Sequence, residues 1–304
     1  MKPAPFAYLR AGGIDEAVAA VAEDGEARVL AGGQSLVPML AMRLARPTTL
    51  VDINGVPGLA GLLRRDGELC VGTLVRQRDL ECSREAASVP LLAAALPHIG
   101  HRELRNRGTV GGSIAHADPA GELPAVAVTL DATVVARGPQ GERRIRAREF
   151  FTGPLQTALA EGELLTAALF PTARSGDGFA FEEVARRRGD FALCGVAVAV
   201  HVEVVDGGVD GGGVGGSVES ATVGVFGVAP APVTFDVSAL VGGAPPGRGR
   251  LREAGEQVAS WLTPGSDVHA SAGYRRRLAA VLVSRCLAGA LADARAPARE
   301  EDRG

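Results

Sequence analysis

Two glycine pairs, each set between short apolar runs, restrict what this chain can fold into. The first lies in LAGGQSLVPML (Leu30–Leu40) and the second in RGTVGGSIAHADPAGELP (Arg107–Pro124). Glycine admits positive φ and lets a ligand or another backbone come closer than a Cβ allows. In the first stretch, Gly32-Gly33-Gln34-Ser35 turns a strand-like run directly into an apolar helical run, with Pro38 in the first helical turn, where its missing N–H costs little. In the second, Thr109, Gly111, Gly112 and Ser113 repeat the small, donor-rich pattern. A helix N-terminus presents unpaired N–H groups and partial positive charge, so such turns suit phosphate oxygens. One turn of this kind serves equally well as a plain strand-to-helix connection. Two of them, each with flanking hydroxyls, are expected to close on one phosphorylated ligand, Ser35 either capping its helix or donating to that ligand. Spacing alone does not name the ligand.

Composition removes several classes. With 304 residues, 46% hydrophobic and 22% charged, the chain has the makeup of a soluble globular protein with two or three compact units. Its net charge of −3 provides no basic field for nucleic acid or an anionic membrane. Lys2 is the only lysine among 32 basic residues, which excludes a P-loop. Cys70, Cys82, Cys194 and Cys286 are scattered, so neither a disulfide scaffold nor an iron–sulfur cluster is expected on this chain. The N-terminal MKPAPFAYLRAGG has no apolar core of a signal peptide and no run is long enough to span a bilayer, giving the expectation of a cytoplasmic protein.

Taken in order, the pattern predicts a helix over Ile14–Ala22, a strand over Arg28–Ala31, the helix LVPMLAMRL, a buried strand over Thr48–Ile53 and a hairpin over Leu62–Val71 turning at Asp66-Gly67. Helices follow over Thr73–Glu81, Val89–Ile99 and Glu122–Leu130, then a hairpin over Ala132–Ile145 bent at Gly138–Gly141. The composition shift PTARSGDG (Pro171–Gly178) reads as a boundary. Beyond it, strands are expected over Phe179–Val184, Val196–Val205 and Ala221–Val228, followed by two helices after Pro245-Pro246. The tract Asp206–Gly216 reads as a hairpin tip. Its formal G-x-G-x-x-G, Gly211 to Gly216, is rejected as a dinucleotide fingerprint because no helix follows it.

Other candidates carry less. Asp118 and Glu122 either accept from ligand hydroxyls or favour the start of the next helix. His98, His101 and His116 are too dispersed for a metal site, Arg186-Arg187-Arg188 reads as a solvated patch, and no Ser–His–Asp set can be assembled.

The stretches Ala31–Asn54 and Arg105–Val126 closely resemble the flavoprotein, or medium, subunit of the molybdenum hydroxylases, the family of aerobic carbon monoxide dehydrogenase and xanthine dehydrogenase. GELL (Gly162–Leu165), ARRRGDFAL (Ala185–Leu193) and the terminal YRRRLAAVLVSRCLA extend the resemblance over nearly the whole chain, in order. It implies an α+β fold: a two-subdomain FAD-binding fold of the vanillyl-alcohol-oxidase and CO dehydrogenase flavoprotein type, plus a C-terminal three-stranded antiparallel sheet with a helical bundle. The expected domains are 1–175 (subdomains of about 1–55 and 56–175) and 176–295, with 296–304 a flexible tail. The cofactor is expected to be FAD. Its expected binding residues are Ala31, Gly32, Gly33, Gln34, Ser35 and Leu36, with Thr109, Gly111, Gly112, Ser113 and His116. Asp118 and Glu122 would receive FAD hydroxyls, Ile99, Gly100 and Leu165 would line the adenine or flavin pocket, and Asp190 and Phe191 would lie on the loop nearing the isoalloxazine ring.

The resemblance also implies partners. A large subunit would carry molybdopterin and a small one two [2Fe–2S] clusters, in a dimer of heterotrimers, and this chain would pass electrons through FAD to an external acceptor. No catalytic acid or base is expected here. Glu182 stands where some eukaryotic xanthine dehydrogenases have a basic residue near the flavin, so the resemblance does not by itself carry their NAD chemistry over, and the final acceptor stays open among NAD, quinone, a carrier protein and oxygen. The rival readings are a stand-alone flavin oxidase or monooxygenase, a non-redox module for ADP-like ligands, and a UDP-N-acetylenolpyruvoylglucosamine-type reductase.

Overall fold

The computed structural model describes residues 2–204, 216–243 and 246–296. The tract at Asp206–Gly216, apart from Gly216, and the tail beyond Ala296 lie outside them. The chain begins β1 (Ala7–Arg10), α1 (Ile14–Glu23), β2 (Arg28–Leu30), α2 (Leu36–Ala41), β3 (Thr49–Asp52). Both outer strands run parallel to the central β3, as helical crossovers demand. Ala17 and Val18 of α1 share a core with Val51 and Ile53. Helix α2 is shorter than predicted: Arg43 takes a φ of 60°, and the Met39 carbonyl accepts the N–H of Leu44 at 2.9 Å.

Next come β4 (Leu62–Arg65), β5 (Glu68–Gly72), α3 (Gln77–Glu81), α4 (Pro90–Ala95), α5 (Arg102–Arg105), α6 (Val110–His116), α7 (Glu122–Thr129), β6 (Thr133–Gly138), β7 (Gly141–Arg146), α8 (Ala147–Phe150), β8 (Phe151–Gly153), β9 (Gln156–Thr157) and β10 (Leu164–Pro171). The hairpin turn predicted at Asp66-Gly67 has φ of 53° and 78°. An antiparallel sheet forms in the order β4-β5-β10-β6-β7. Its central strand β10 escaped the sequence reading because both faces are buried, so Leu164–Phe170 shows no alternation. Two predicted helices are corrected. Thr73-Leu74 is a turn closed by the Val75 N–H on the Gly72 carbonyl at 3.0 Å, and Arg76 is extended; the Thr73 N–H bonds to the Thr166 carbonyl at 2.9 Å and Arg76 is bridged to Thr109. The helix expected to run to Ile99 tightens into a 3-10 turn over Leu96–His98, where Pro97 contributes no N–H.

These elements form two compact units. The first takes the chain up to Val89, Leu96–Asp118 and Asp131–Thr172; the second takes α4, Pro119–Leu130 with α7, and the described chain from Ala173 onward. In the second, β11 (Asp177–Val184), β12 (Cys194–Val204), β13 (Gly216–Phe226) and β14 (Val233–Asp236) make an antiparallel sheet, followed by α9 (Ser238–Val241), α10 (Arg248–Trp261) and α11 (Ala272–Asp293). It has one strand more than the three expected: the short β14 pairs with β13 from Thr222 to Val225. Val223 and Val225 bury against α10 and α11, whereas Phe226 packs with Ala125 of α7 on the opposite face. Gly178 admits α11 closely, since a Cβ there would lie 2.0 Å from the Ala290 carbonyl oxygen.

Candidate functional site

The first glycine turn follows β2 and opens α2. Gly33 has a φ of +73°, the left-handed region glycine enters without penalty. Among the described residues, the N–H groups of Gly32, Gly33, Gln34 and Ser35 find no acceptor within the chain. Ser35 does not cap α2 with its side chain, so its hydroxyl stays free for a ligand. The Gln34 amide folds back onto the Gly32 carbonyl at 3.0 Å. A run of unpaired amides at the start of a helix is a fitting cradle for phosphate oxygens; the bare face of Gly33 packs toward Val37 and Leu30.

The second turn lies directly against the first. A Cβ at Gly32 would come 2.4 Å from the Arg107 carbonyl oxygen, 2.9 Å from Gly108 Cα and 3.0 Å from the Thr109 nitrogen. The expectation that both loops offer backbone amides is corrected here. Val110 donates to the Val75 carbonyl at 3.0 Å and Gly111 to that of Thr73 at 3.1 Å. Gly112 donates to Thr109 Oγ1 at 3.1 Å, capping α6, and Ser113 to the Thr109 carbonyl at 3.1 Å. Gly111 is bare because Thr73 occupies the space: a Cβ there would lie 1.8 Å from Thr73 Oγ1. The second turn therefore backs the first and contributes the partly buried Ser113 hydroxyl rather than a row of amides.

Other expected residues of the first unit are held by their own elements. Ile99 and Gly100 close the 3-10 turn, and their carbonyls accept from Arg105 Nη1 at 3.0 and 3.2 Å. Arg105 is buried and also forks onto Glu81 at 2.9 and 3.2 Å. Burial alone would raise the Glu81 pKa, but hydrogen bonds from Arg105 and Arg78 outweigh it and hold the carboxyl below its ordinary value. His116 ends α6, Ala117 follows with a φ of 53°, and Asp118 is partly buried beyond it. Leu165 is buried in β10 opposite Ala136.

Glu122, Asp190 and Phe191 belong to the second unit. Glu122 is buried in the first turn of α7. Asp190 follows Gly189, whose φ is +85°, donates its N–H to Arg187 at 3.1 Å and faces Arg186 at 4.0 Å, while Phe191 is 64% exposed. Glu182 is paired with Arg285 at 3.0 Å.

Sequence reasoning passed over the polar residues that brace the turns of the first unit, Asn54, Arg76 and Arg105 with Glu81, and over Arg275, which ties Leu193 to Gly227 in the second. Asn54 and Arg105 sat at the edges of the stretches carrying the resemblance, yet neither has a local pattern that separates it from an ordinary solvated side chain. Among the described residues no helix is long and apolar enough to cross a membrane.

Residues 4–173 match the family described as the FAD binding domain in molybdopterin dehydrogenase, and residues 179–290 match the CO dehydrogenase flavoprotein C-terminal domain. The chain is 37% identical to the 6-hydroxypseudooxynicotine dehydrogenase complex subunit alpha of Paenarthrobacter nicotinovorans, over 99% of both chains. Among solved structures it resembles carbon monoxide dehydrogenase from Hydrogenophaga pseudoflava, with a TM-score of 0.88 and 33% identity over 96% of this chain and 99% of that one. Quinoline 2-oxidoreductase from Pseudomonas putida 86 gives a TM-score of 0.88 at 32% identity, covering 97% of this chain and 99% of its own.

Proposed function

The chain belongs to the FAD-binding flavoprotein subunits of the molybdenum hydroxylase family, and from that premise we propose how its own residues hold the cofactor and what they serve. It is an FAD-binding, electron-transferring subunit of an oxidoreductase. Bound FAD supplies the redox chemistry between an iron–sulfur donor and an external acceptor. The protein's part is to bind and orient the cofactor.

The single observation that carries the site is the row of unpaired amides from Gly32 to Ser35 beside the positive φ of Gly33. These amides hold the diphosphate, the Ser35 and Ser113 hydroxyls donate to it, and Ala31, Leu36, Thr109, Gly111, Gly112 and His116 shape its surroundings. Asp118 receives cofactor hydroxyls, and Ile99, Gly100 and Leu165 line the pocket. Glu122, Asp190 and Phe191 are proposed as contacts on the resemblance alone. The proposed partners are a molybdopterin-binding large subunit and an iron–sulfur small subunit, in a dimer of heterotrimers. A cytoplasmic site agrees with the four free cysteines. The domain division proposed is 1–175, with subdomains of about 1–55 and 56–175, then 176–295 and a tail.

The test is the purified chain with its absorbance spectrum. A yellow protein, or a colourless one that turns yellow on addition of FAD, is expected. Gly33→Val forces a β-branched residue into the left-handed region, at about 1–2 kcal/mol or more, and is expected to weaken FAD binding at least about ten-fold with the far-ultraviolet dichroism retained. A folded wild-type chain that takes up no FAD overturns the reading, and undiminished affinity in Gly33→Val removes this loop from it.

A further inference from the structure

We infer that Arg76 and Asn54 act together as a positioning couple that sets the two glycine turns against each other, and that FAD affinity depends on this couple. The inference rests on the cofactor site proposed above. Arg76 is held extended, with φ −69° and ψ 139°, by its bridge to Thr109. From there its guanidinium forks: Nη1 donates to the Arg107 carbonyl at 2.5 Å and Nη2 to Asn54 Oδ1 at 2.8 Å. Asn54 Nδ2 in turn donates to the Ala31 carbonyl at 2.8 Å and to Asp52 Oδ1 at 2.6 Å. The chain of bonds thus runs from Ala31, at the mouth of the first turn, to Arg107, at the mouth of the second. The Arg107 carbonyl oxygen is also the atom that a Cβ on Gly32 would meet at 2.4 Å. The couple therefore clamps the point where the two turns touch, one residue before the free amides begin.

Chemistry at both positions is specific. Asn54 must accept on one side and donate on the other, which neither Asp nor Leu reproduces. Arg76 must reach two acceptors with one planar group, which the single ammonium of lysine does not do. Asn54 is exposed, so its replacement leaves the core intact.

The experiment titrates FAD into the full-length apo chain, read by quenching of flavin fluorescence and by visible circular dichroism of the bound cofactor. Arg76→Gln, Arg76→Lys, Asn54→Asp, Asn54→Leu and the double variant Arg76→Gln/Asn54→Leu are compared with wild type. Each single variant is expected to weaken FAD about ten-fold, as befits loss of a charged-group hydrogen bond, and to alter the dichroism of bound FAD. Lysine is expected not to restore affinity, and the double variant to lose no more than the weaker-binding single, because the two residues act as one unit. Unchanged affinity in Asn54→Leu, full rescue by lysine, or losses that multiply in the double variant would each overturn the inference. If the Arg76 variants fail to fold, the two Asn54 variants decide it alone. A wild-type chain that takes up no FAD sinks the underlying cofactor site, and the inference with it; a binding wild type matched by its variants sinks the inference only.

Discussion

Gly111→Val is expected to yield a chain that melts well below wild type and retains no FAD. The cause lies inside the protein. A Cβ at this position would sit 1.8 Å from Thr73 Oγ1, 2.5 Å from its Cβ and 2.6 Å from its Cα. A side chain could rotate away, but the Thr73 backbone cannot. Its N–H is bonded to the Thr166 carbonyl in the central strand at 2.9 Å, and its own carbonyl accepts the Gly111 N–H at 3.1 Å. Thr73 is also buried, so no solvent-facing direction is open to it. Overpacking of a tight site costs roughly 1–3 kcal/mol and at times more, and a clash with fixed backbone belongs at the upper end. Thermal unfolding of the apo chain measures the loss without reference to flavin. Gly112→Ala is the milder comparison: its Cβ would meet Thr109 Oγ1 at 2.6 Å and disturb only the cap of α6, worth about 1 kcal/mol. A Gly111→Val protein with wild-type melting would mean that Thr73 and Gly111 are not packed as described.

The second large effect is expected from Arg275→Met. Arg275 is buried on α11, where Nη1 donates to the carbonyls of Leu193 at 2.6 Å and Gly227 at 2.9 Å, and Nη2 to Asp267 Oδ2 at 2.6 Å. Methionine fills much of the volume but leaves both carbonyls without a donor. An orphaned buried acceptor costs about 1–3 kcal/mol, the Leu193 carbonyl being buried and that of Gly227 partly so, and a loss of about 2–4 kcal/mol at neutral pH is expected in urea unfolding. The Asp267 carboxylate is half exposed, so the ion pair adds less than its short distance implies. Its pKa is lowered from the ordinary 3.8 to about 2, first by the N–H groups of Ala270 and His269 and then by Arg275. A depressed carboxylate stabilises the fold above its unfolded pKa, and that contribution fades as pH falls through about 2. The gap between wild type and Arg275→Met should therefore narrow between about pH 4 and pH 2, leaving the carbonyl part. A constant gap across that range would show that the ion pair contributes nothing.

What the residues reveal unaided depends on how local the deciding force is. The Asp66-Gly67 hairpin, the helix at Ile14 and the turn at Gly32-Gly33 are settled by neighbours within a few positions, through glycine's access to positive φ and the free amides of a helix start. The same local chemistry pointed to a phosphorylated ligand, and the resemblance carried by two contiguous stretches named it as FAD. The strand Leu164–Pro171 was missed because a segment buried on both faces has no alternating pattern to betray it. Thr73–Arg76 was mistaken for helix because its partners, Thr166 and Thr109, are remote in sequence.

The second glycine turn marks the dividing line. Its composition is that of the first, and sequence alone assigned both the same task of offering amides. Only the tertiary structure gives them different tasks, because the carbonyls of Thr73 and Val75 lie beside the second turn and take up the N–H groups of Gly111 and Val110, whereas nothing among the described residues takes those from Gly32 to Ser35. A hydrogen-bond donor is legible in a sequence; whether it is already spent is decided by a carbonyl that long-range packing brings to it.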